Sequence, residues 1–365
     1  VHTSGSTDTV RLDVGFFLNH CLGDGFSGAA FHHSFLSALN KFLDQGNIPC
    51  EASVVASPCN AVVRPPRQAL LPDFETAVPL PITLGGLLRL GYDTFFPEKG
   101  IWTGVPVQSF GTQGAVTRVA VLRLGKERVD GLVSLCRQEK TSVTALLTCV
   151  IAIVLARELE EGKGRTERIQ GLTAVIALSM RRFAPAITPR DMVAYTSGMD
   201  CTFRHDAKPG KGRLPSCAGE PFDWDEARRV KAELDAKTSS NQNHLPAFLR
   251  LVPDLKAYLL AKVGKPRGGS FEVSNLGVVD MGDAMVETGG VKCEGLLFSQ
   301  AANVTGVPYV FSLATLKGGS MSIVLSWQDG MLEEDVVGRV MMELDAWLRA
   351  ERLGGTAEDH EEGRS

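Results

Sequence analysis

Read for the spacing of apolar and polar positions alone, the chain alternates between short runs that fit strands and longer stretches that fit helices. Arg11 to His20 reads as a strand, with Val14, Phe16, Phe17 and Leu18 dense enough for burial on both faces. Gly23 and Gly25 allow a sharp turn after it, and Ser27 is the expected N-cap of the next helix. In that helix Phe31, Phe35, Ala38, Leu39 and Phe42 fall on one stripe, and Gly46 is expected to end it. Ser57 to Pro81 is rich in proline and reads as an extended crossing segment. Pro97 to Gly114 has the same character, so an interdomain linker is expected there.

A second unit opens with a partly alternating strand, Val116 to Leu124, then a helix over Glu127 to Gln138 and a buried helix from Thr141, capped by Thr141 or Ser142. Ile169 to Met180 is a long apolar strand that ends in Arg181 and Arg182. Pro185 to Pro221 is polar and reads as an irregular surface excursion. Asp225 to Lys237 and Leu245 to Lys262 read as helices, the second interrupted by Pro253. The last third is β-rich. Ser270 to Leu276 is a strand candidate with Gly277 as the turn after it, and Gly295 to Ala302 is another. Pro308 to Leu316 and Ser320 to Trp327 form a hairpin about Gly318 and Gly319. A C-terminal helix over Glu333 to Arg352 puts Val336, Val337, Val340, Leu344, Trp347 and Leu348 on one face, and an acidic, disordered tail is expected after Gly354. The fold class is mixed α/β (α+β) with at least two sheets and no internal repeat.

Composition narrows the function more than the fold. A length of 365 residues suits two domains, and 44% apolar with 22% charged residues is a soluble globular balance. The net charge of −4 supplies no long-range attraction for nucleic acid or an anionic membrane. The eight cysteines are scattered without a C-x-x-C pair, which argues against a zinc knuckle or a disulfide framework and for reduced thiols. The first residues, Val1 to Ser6, are polar and lack the apolar core of a signal peptide. Val143 to Ala156, the most apolar run, is shorter than the roughly 18 residues of a membrane span. A cytoplasmic location is expected. The chain opens on Val1 with a functional-looking strand close behind it, which suggests a fragment or a misassigned start.

The chemistry concentrates in Asn19-His20-Cys21-Leu22-Gly23-Asp24-Gly25. A histidine held at a strand end beside a glycine turn is suited to act as general base for an alcohol or amine, since its ordinary pKa of about 6.5 lies near neutrality. The same histidine could equally be a side chain satisfied by backbone groups. Asp24 follows four residues on, past a glycine, and could anchor the turn by pairing with an arginine instead of touching the imidazole. A metal site would recruit His20, Asp24, His32 and His33, but His32 and His33 are adjacent on a helix and diverge by about 100°. No metal is expected. Cys21 as a nucleophile is disfavoured, because neighbours on a strand face opposite ways.

His20-Cys-Leu-Gly-Asp24-Gly25 also resembles the H-x-x-x-D-G motif of the chloramphenicol-acetyltransferase-like superfamily. The continuation Phe26 to His32, with Ser142 to Leu147, Phe271 to Gly277, Phe298 to Gln300 and Ile323 to Gln328, is similar to the fungal alcohol acetyltransferase family across nearly the whole chain. The resemblance implies two chloramphenicol-acetyltransferase-like domains of mixed sheets flanked by helices, with the active site between them. It places the C-terminal part of the first domain at 1–96, a linker at 97–115, the second domain at 116–353 and the tail at 354–365. Relatives carry a substantial part of the first domain before the histidine strand, so that domain is expected to be N-terminally truncated.

By the same resemblance His20 is the base, Asp24 a structural residue paired to Arg181 or Arg182, and Ser274 the hydroxyl that binds the oxyanion. Gly25, Asn275 and Gln300 are further channel candidates. The implied reaction moves an acetyl group from acetyl-CoA, a co-substrate and not a bound cofactor, to an alcohol without a covalent acyl-enzyme. An amine acceptor is the alternative, as is a silent homologue that only binds. Leu297-Phe298-Ser299-Gln300 stands where plant relatives have D-F-G-W-G, and Asn19 replaces the first histidine of condensation domains. The expected protein is a monomer whose partners are acyl-CoA and a small alcohol or amine. Peripheral membrane or lipid-droplet association stays open, since related enzymes carry lipid-binding helices at their ends.

Overall fold

The structure is a computed structural model and describes residues 11–44, 67, 69–108, 114–161, 169–214, 220–282, 290–349 and 353. The expected helix stop at Gly46, the first part of the Ser57 to Pro81 segment (57–66) and the acidic tail lie outside the described residues. The chain divides into two compact units. One comprises 1–77, 184–195 and 281–293, the other 78–183, 196–280 and 294–365.

The larger unit is built on one six-stranded mixed sheet. Its elements in chain order begin with α3 (Leu84–Phe95), β1 (Thr117–Leu124), α4 (Lys126–Gln138), α5 (Val143–Glu161) and β2 (Gly171–Ser179). They continue with β3 (Thr196–Arg204), α6 (Trp224–Thr238), α7 (Leu245–Leu249), α8 (Leu255–Leu260), β4 (Phe271–Val279), β5 (Tyr309–Leu316), β6 (Met321–Gln328) and α9 (Glu334–Trp347). The strand order is β1-β6-β5-β4-β2-β3. The central β5, β4 and β2 run parallel to one another, and antiparallel strands close both edges.

Strand parity divides the sheet into two chemically different faces. Leu172, Ile176, Phe203, Phe271, Val273 and Phe311 point to one side, with Leu313, Ile323 and Leu325, where they pack with side chains of α4, α5, α6 and α9. The helix α5 sits at the centre of this core, buried continuously from Ala145 to Ala156. Ser142 caps it, its Oγ accepting the Ala145 N–H at 3.2 Å. The alternate positions, among them Glu272, Ser274, Ser312, Ser322, Ser326 and Gln328, occupy the other face.

The smaller unit contains α1 (Gly25–Asp44) and the short α2 (Phe74–Ala77). Its described residues hold no sheet. The two sheets expected from the sequence therefore reduce to one among the described residues. Arg11 to His20 is not a strand: no described strand lies beside it to complete a ladder, and Phe17 is 94% exposed instead of buried. Phe16 finds cover by stacking on Phe31 of α1, ring centroids 4.0 Å apart.

Two further expectations are corrected. Pro185 to Pro221 contains β3, whose inward residues Met199, Cys201 and Phe203 alternate with Gly198, Asp200 and Thr202. Gly295 to Ala302 is not a strand. It lies over the polar face and is tied there through side chains, with Ser299 Oγ against Ser326 Oγ at 3.2 Å and the Ala302 N–H donating to Thr117 Oγ1 at 3.0 Å. The strand expected to stop before Gly277 instead runs on to Val279 through an irregularity between Asn275 and Val278, which Gly277 accommodates at φ +68°.

Candidate active site

The turn that carries the histidine is made by Asn19. Its backbone carbonyl accepts the Leu22 N–H at 2.9 Å and its Oδ1 accepts the Cys21 N–H at 3.1 Å. Both bonds fold the chain back on itself so that Gly23 reaches the imidazole. A Cβ at Gly23 would lie 2.6 Å from Leu18 Cδ1 and 2.8 Å from Ser27 Cβ, so only glycine fits this position. His20 Nδ1 stands 3.0 Å from the Gly23 carbonyl oxygen. A carbonyl can only accept, so Nδ1 carries the proton and donates it, and Nε2 is left as the basic nitrogen. His20 is exposed, which leaves that nitrogen within reach of solvent and ligands.

Asp24, and not Ser27, is the N-cap of α1. Asp24 Oδ1 accepts the Ser27 N–H at 3.0 Å while Ser27 Oγ accepts the Asp24 N–H at 3.1 Å, a reciprocal capping box that satisfies two otherwise orphaned donors. The sequence reading placed the cap three residues late because both types are good caps and serine precedes the aromatic stripe. Ser27 Oγ also accepts the Val193 N–H at 3.1 Å, and the Asp24 N–H donates to the Val193 carbonyl at 3.2 Å. Asp24 is 5% exposed, and the whole box is buried. Gly25 is the first residue of the helix. Further along α1, Arg190 Nη2 donates to His33 Nε2 at 3.3 Å, and partial burial holds the His32 imidazole below its ordinary pKa. Among the described residues no group of three His, Cys, Asp or Glu side chains is arranged to hold a metal ion.

In the larger unit, Ser274 lies on β4 opposite Ser312 of β5, on the face turned away from the helices. It is largely buried, and its hydroxyl has no hydrogen-bond partner among the described residues. Gln300 Nε2 donates to Glu272 Oε1 at 3.1 Å and reaches Ser312 Oγ at 3.4 Å, so it joins β4 to β5 beside Ser274. Asn275 points the other way. Its Nδ2 donates to Thr144 Oγ1 of α5 at 3.0 Å and its Oδ1 accepts the Gly277 N–H at 2.7 Å. Arg181 and Arg182 form a short 3₁₀ turn after β2, where Arg182 Nη1 donates to the Thr238 carbonyl at 2.9 Å. Glu272 and Ser312 are not singled out in the sequence, and Asn19 is, but not for the turn it makes. For the first two the available signal was strand parity with Ser274.

The larger unit is a mixed sheet with helices on one face, and the fold of the chain has a solved counterpart. That fold is shared with the solved trichothecene 15-O-acetyltransferase of Fusarium sporotrichioides at a TM-score of 0.62 and 11% identity, over 91% of this chain and 65% of that one. The family model for alcohol acetyltransferases matches residues 1–344, and the chain belongs to that family. A probable alcohol acetyltransferase of Aspergillus fumigatus, crmB, is 28% identical over 89% of this chain. Another from Fusarium pseudograminearum, FCK4, is 26% identical over 95% of it. The chain spans about two-thirds of the length of these relatives, 66% and 69% respectively. No helix among the described residues is long and apolar enough to cross a membrane.

Proposed function

We propose that the protein is a CoA-dependent O-acyltransferase that moves an acetyl group from acetyl-CoA to an alcohol, with His20 as general base. The observation that carries this reading is the Nδ1 to Gly23 carbonyl contact, which puts the proton of the neutral ring on Nδ1 and leaves Nε2 as the acceptor nitrogen. His20 Nε2 takes the proton from the acceptor hydroxyl as its oxygen attacks the thioester carbonyl carbon. The carbonyl π electrons move to oxygen, and the Ser274 hydroxyl donates to the oxyanion, a contribution of a few kcal/mol in such sites. Collapse re-forms the carbonyl and breaks the carbon–sulfur bond. The imidazolium then returns its proton to the CoA thiolate, and no acyl-enzyme forms.

Asp24 belongs to the scaffold in this reading, because its carboxylate holds the N-terminus of α1 three residues beyond the turn that presents His20. A double-mutant cycle between Asp24 and Arg181 tests the pairing that the family resemblance implies; independent effects would remove it.

The decisive assay follows thiol release from acetyl-CoA with a panel of alcohols and amines, comparing wild type with His20→Ala and Ser274→Ala. Turnover on alcohols that falls sharply in His20→Ala supports the proposal. Equal rates of thiol release with and without His20 would falsify it. Turnover confined to amines would reassign the acceptor while leaving the base in place.

A further inference from the structure

The larger unit contains a cavity of ≈ 380 Å³ at the end of the sheet where β2, β4 and β5 begin. Its walls are apolar and include Trp102, Val105, Pro106, Pro308, Met331 and Leu332. The volume falls in the range of roughly 300–1,000 Å³ occupied by small-molecule sites. The strip 101–107 that forms one wall is tied near its two ends. The Trp102 N–H donates to the Gly171 carbonyl at 3.0 Å, the Trp102 carbonyl accepts the Ser270 hydroxyl, and the Val107 N–H donates to the Lys265 carbonyl at 3.0 Å.

Arg267 is buried against the same strip, at 4% exposure. Its Nε donates to the carbonyl of Val105 at 2.8 Å, so Val105 both lines the cavity and holds the cation. Its Nη1 donates to the carbonyls of Val304 at 2.9 Å and Gly306 at 2.8 Å, the latter two residues before the lining Pro308. Nη2 is buried and has no acceptor among the described residues. All three acceptors are neutral, and burial pulls the guanidinium below its ordinary pKa. A buried cation compensated only by carbonyl dipoles, with one amino group unmatched, is costly unless an anion completes it.

We propose that this cavity binds an amphipathic carboxylate, the apolar chain lying against Trp102, Pro106 and Pro308 and the carboxylate accepting from Arg267 Nη2. A carboxylate suits the group because a charge-assisted bond to guanidinium is shorter and stronger than one to a neutral acceptor. Nη2 is buried, so binding includes a shift of the 104–106 strip, which starts at Gly104 with φ +73°. This inference does not rest on the transferase reading.

The test is calorimetric titration of the full chain with octanoate and with octanol, on wild type and on Val105→Trp, whose indole fills the cavity. The relevant binding is the part that Val105→Trp removes, since a transferase site could also hold octanol. We expect octanoate to bind there at least tenfold more tightly than octanol, and Arg267→Gln to abolish the difference. Octanol binding there as tightly as octanoate, octanoate binding undiminished in Val105→Trp, or binding of neither ligand to wild type would each overturn the proposal. The wild-type comparison decides even if Arg267→Gln does not fold.

Discussion

The helices α1 and α5 are nearly the same length and are held in opposite ways. Of the 20 residues of α1 only Ser27 and Ala30 are buried, and its start is fixed by the Asp24–Ser27 box and the Val193 backbone. The 19-residue α5 is surrounded by apolar side chains on every side along its middle. Polar bonds are directional and specify where a group points, whereas apolar burial is non-directional and supplies stability. The proposed base stands beside the first kind of helix, and the second kind carries the fold.

That division sets the order of the expected effects. Replacing His20 by alanine is expected to lower turnover by about 10²–10⁴-fold, the usual contribution of a positioned general base, while the thermal unfolding midpoint stays near wild type. Leu147→Ala in α5 does the converse: a loss of about 2–5 kcal/mol in denaturant unfolding, with the activity of the remaining folded fraction unchanged. Asp24→Ala is expected to cost about 0.5–2 kcal/mol through the lost cap. If instead it leaves stability intact and reduces only turnover, Asp24 belongs to the chemistry and the contrast between the helices fails.

A smaller effect concerns pH. His244 is fully buried, its Nε2–H donating to the Ser240 carbonyl at 2.8 Å and its Nδ1 accepting from Ser197 Oγ at 2.9 Å. Burial is the main cause that lowers its pKa from 6.5, with the Lys237 ammonium adding to it and the bond to Ser240 opposing it. The neutral form is thus favoured in the fold, and the unfolded chain binds more protons below pH 6.5. The stability it contributes is present above that value and lost as pH falls toward the folded pKa. Chemical denaturation from pH 7.5 to 5 should show this acid limb, and His244→Gln should flatten it. His32, whose pKa is also lowered by burial, supplies a second and separable part.

The smallest expected effect is chemical. Burial pushes the Cys136 and Cys201 thiols up to about 12, whereas Cys21 is exposed beside His20. Iodoacetamide at pH 8 should label Cys21 well before either buried thiol, as mass mapping would show. Equal labelling would mean that the larger unit opens as readily as the His20 turn.

What could be read in the sequence follows the same line. The β5–β6 hairpin and α5 are plain in it because continuous apolar runs survive any context, and the H-x-x-x-D-G spacing marks His20 and Asp24 as a pair to explain. The β3 strand was hidden because Gly198, Asp200 and Thr202 give it a polar composition, although Met199, Cys201 and Phe203 keep its period. Gly295 to Ala302 misled for the opposite reason: its residues suit a strand, but its bonds run through the side chains of Ser299 and Gln300 and not through a ladder. The imidazole tautomer was out of reach, because it depends on where the Gly23 carbonyl lands once Asn19 has closed the turn.

The bond between Ser27 and Val193 spans 166 positions, and that between Asn40 and Val291 spans 251. During synthesis Ser27 and Asn40 therefore leave the ribosome long before Val193 and Val291, and the smaller unit cannot close until those partners have followed. Its helix must wait, uncapped by its distant partners, while the sheet that separates 184–195 from 281–293 in the chain is made. Folding here cannot proceed from the N-terminus onward, and the non-local closure is expected to be slow. The segment that presents the proposed base would therefore acquire its final form late, after Val193 and Val291 have been made.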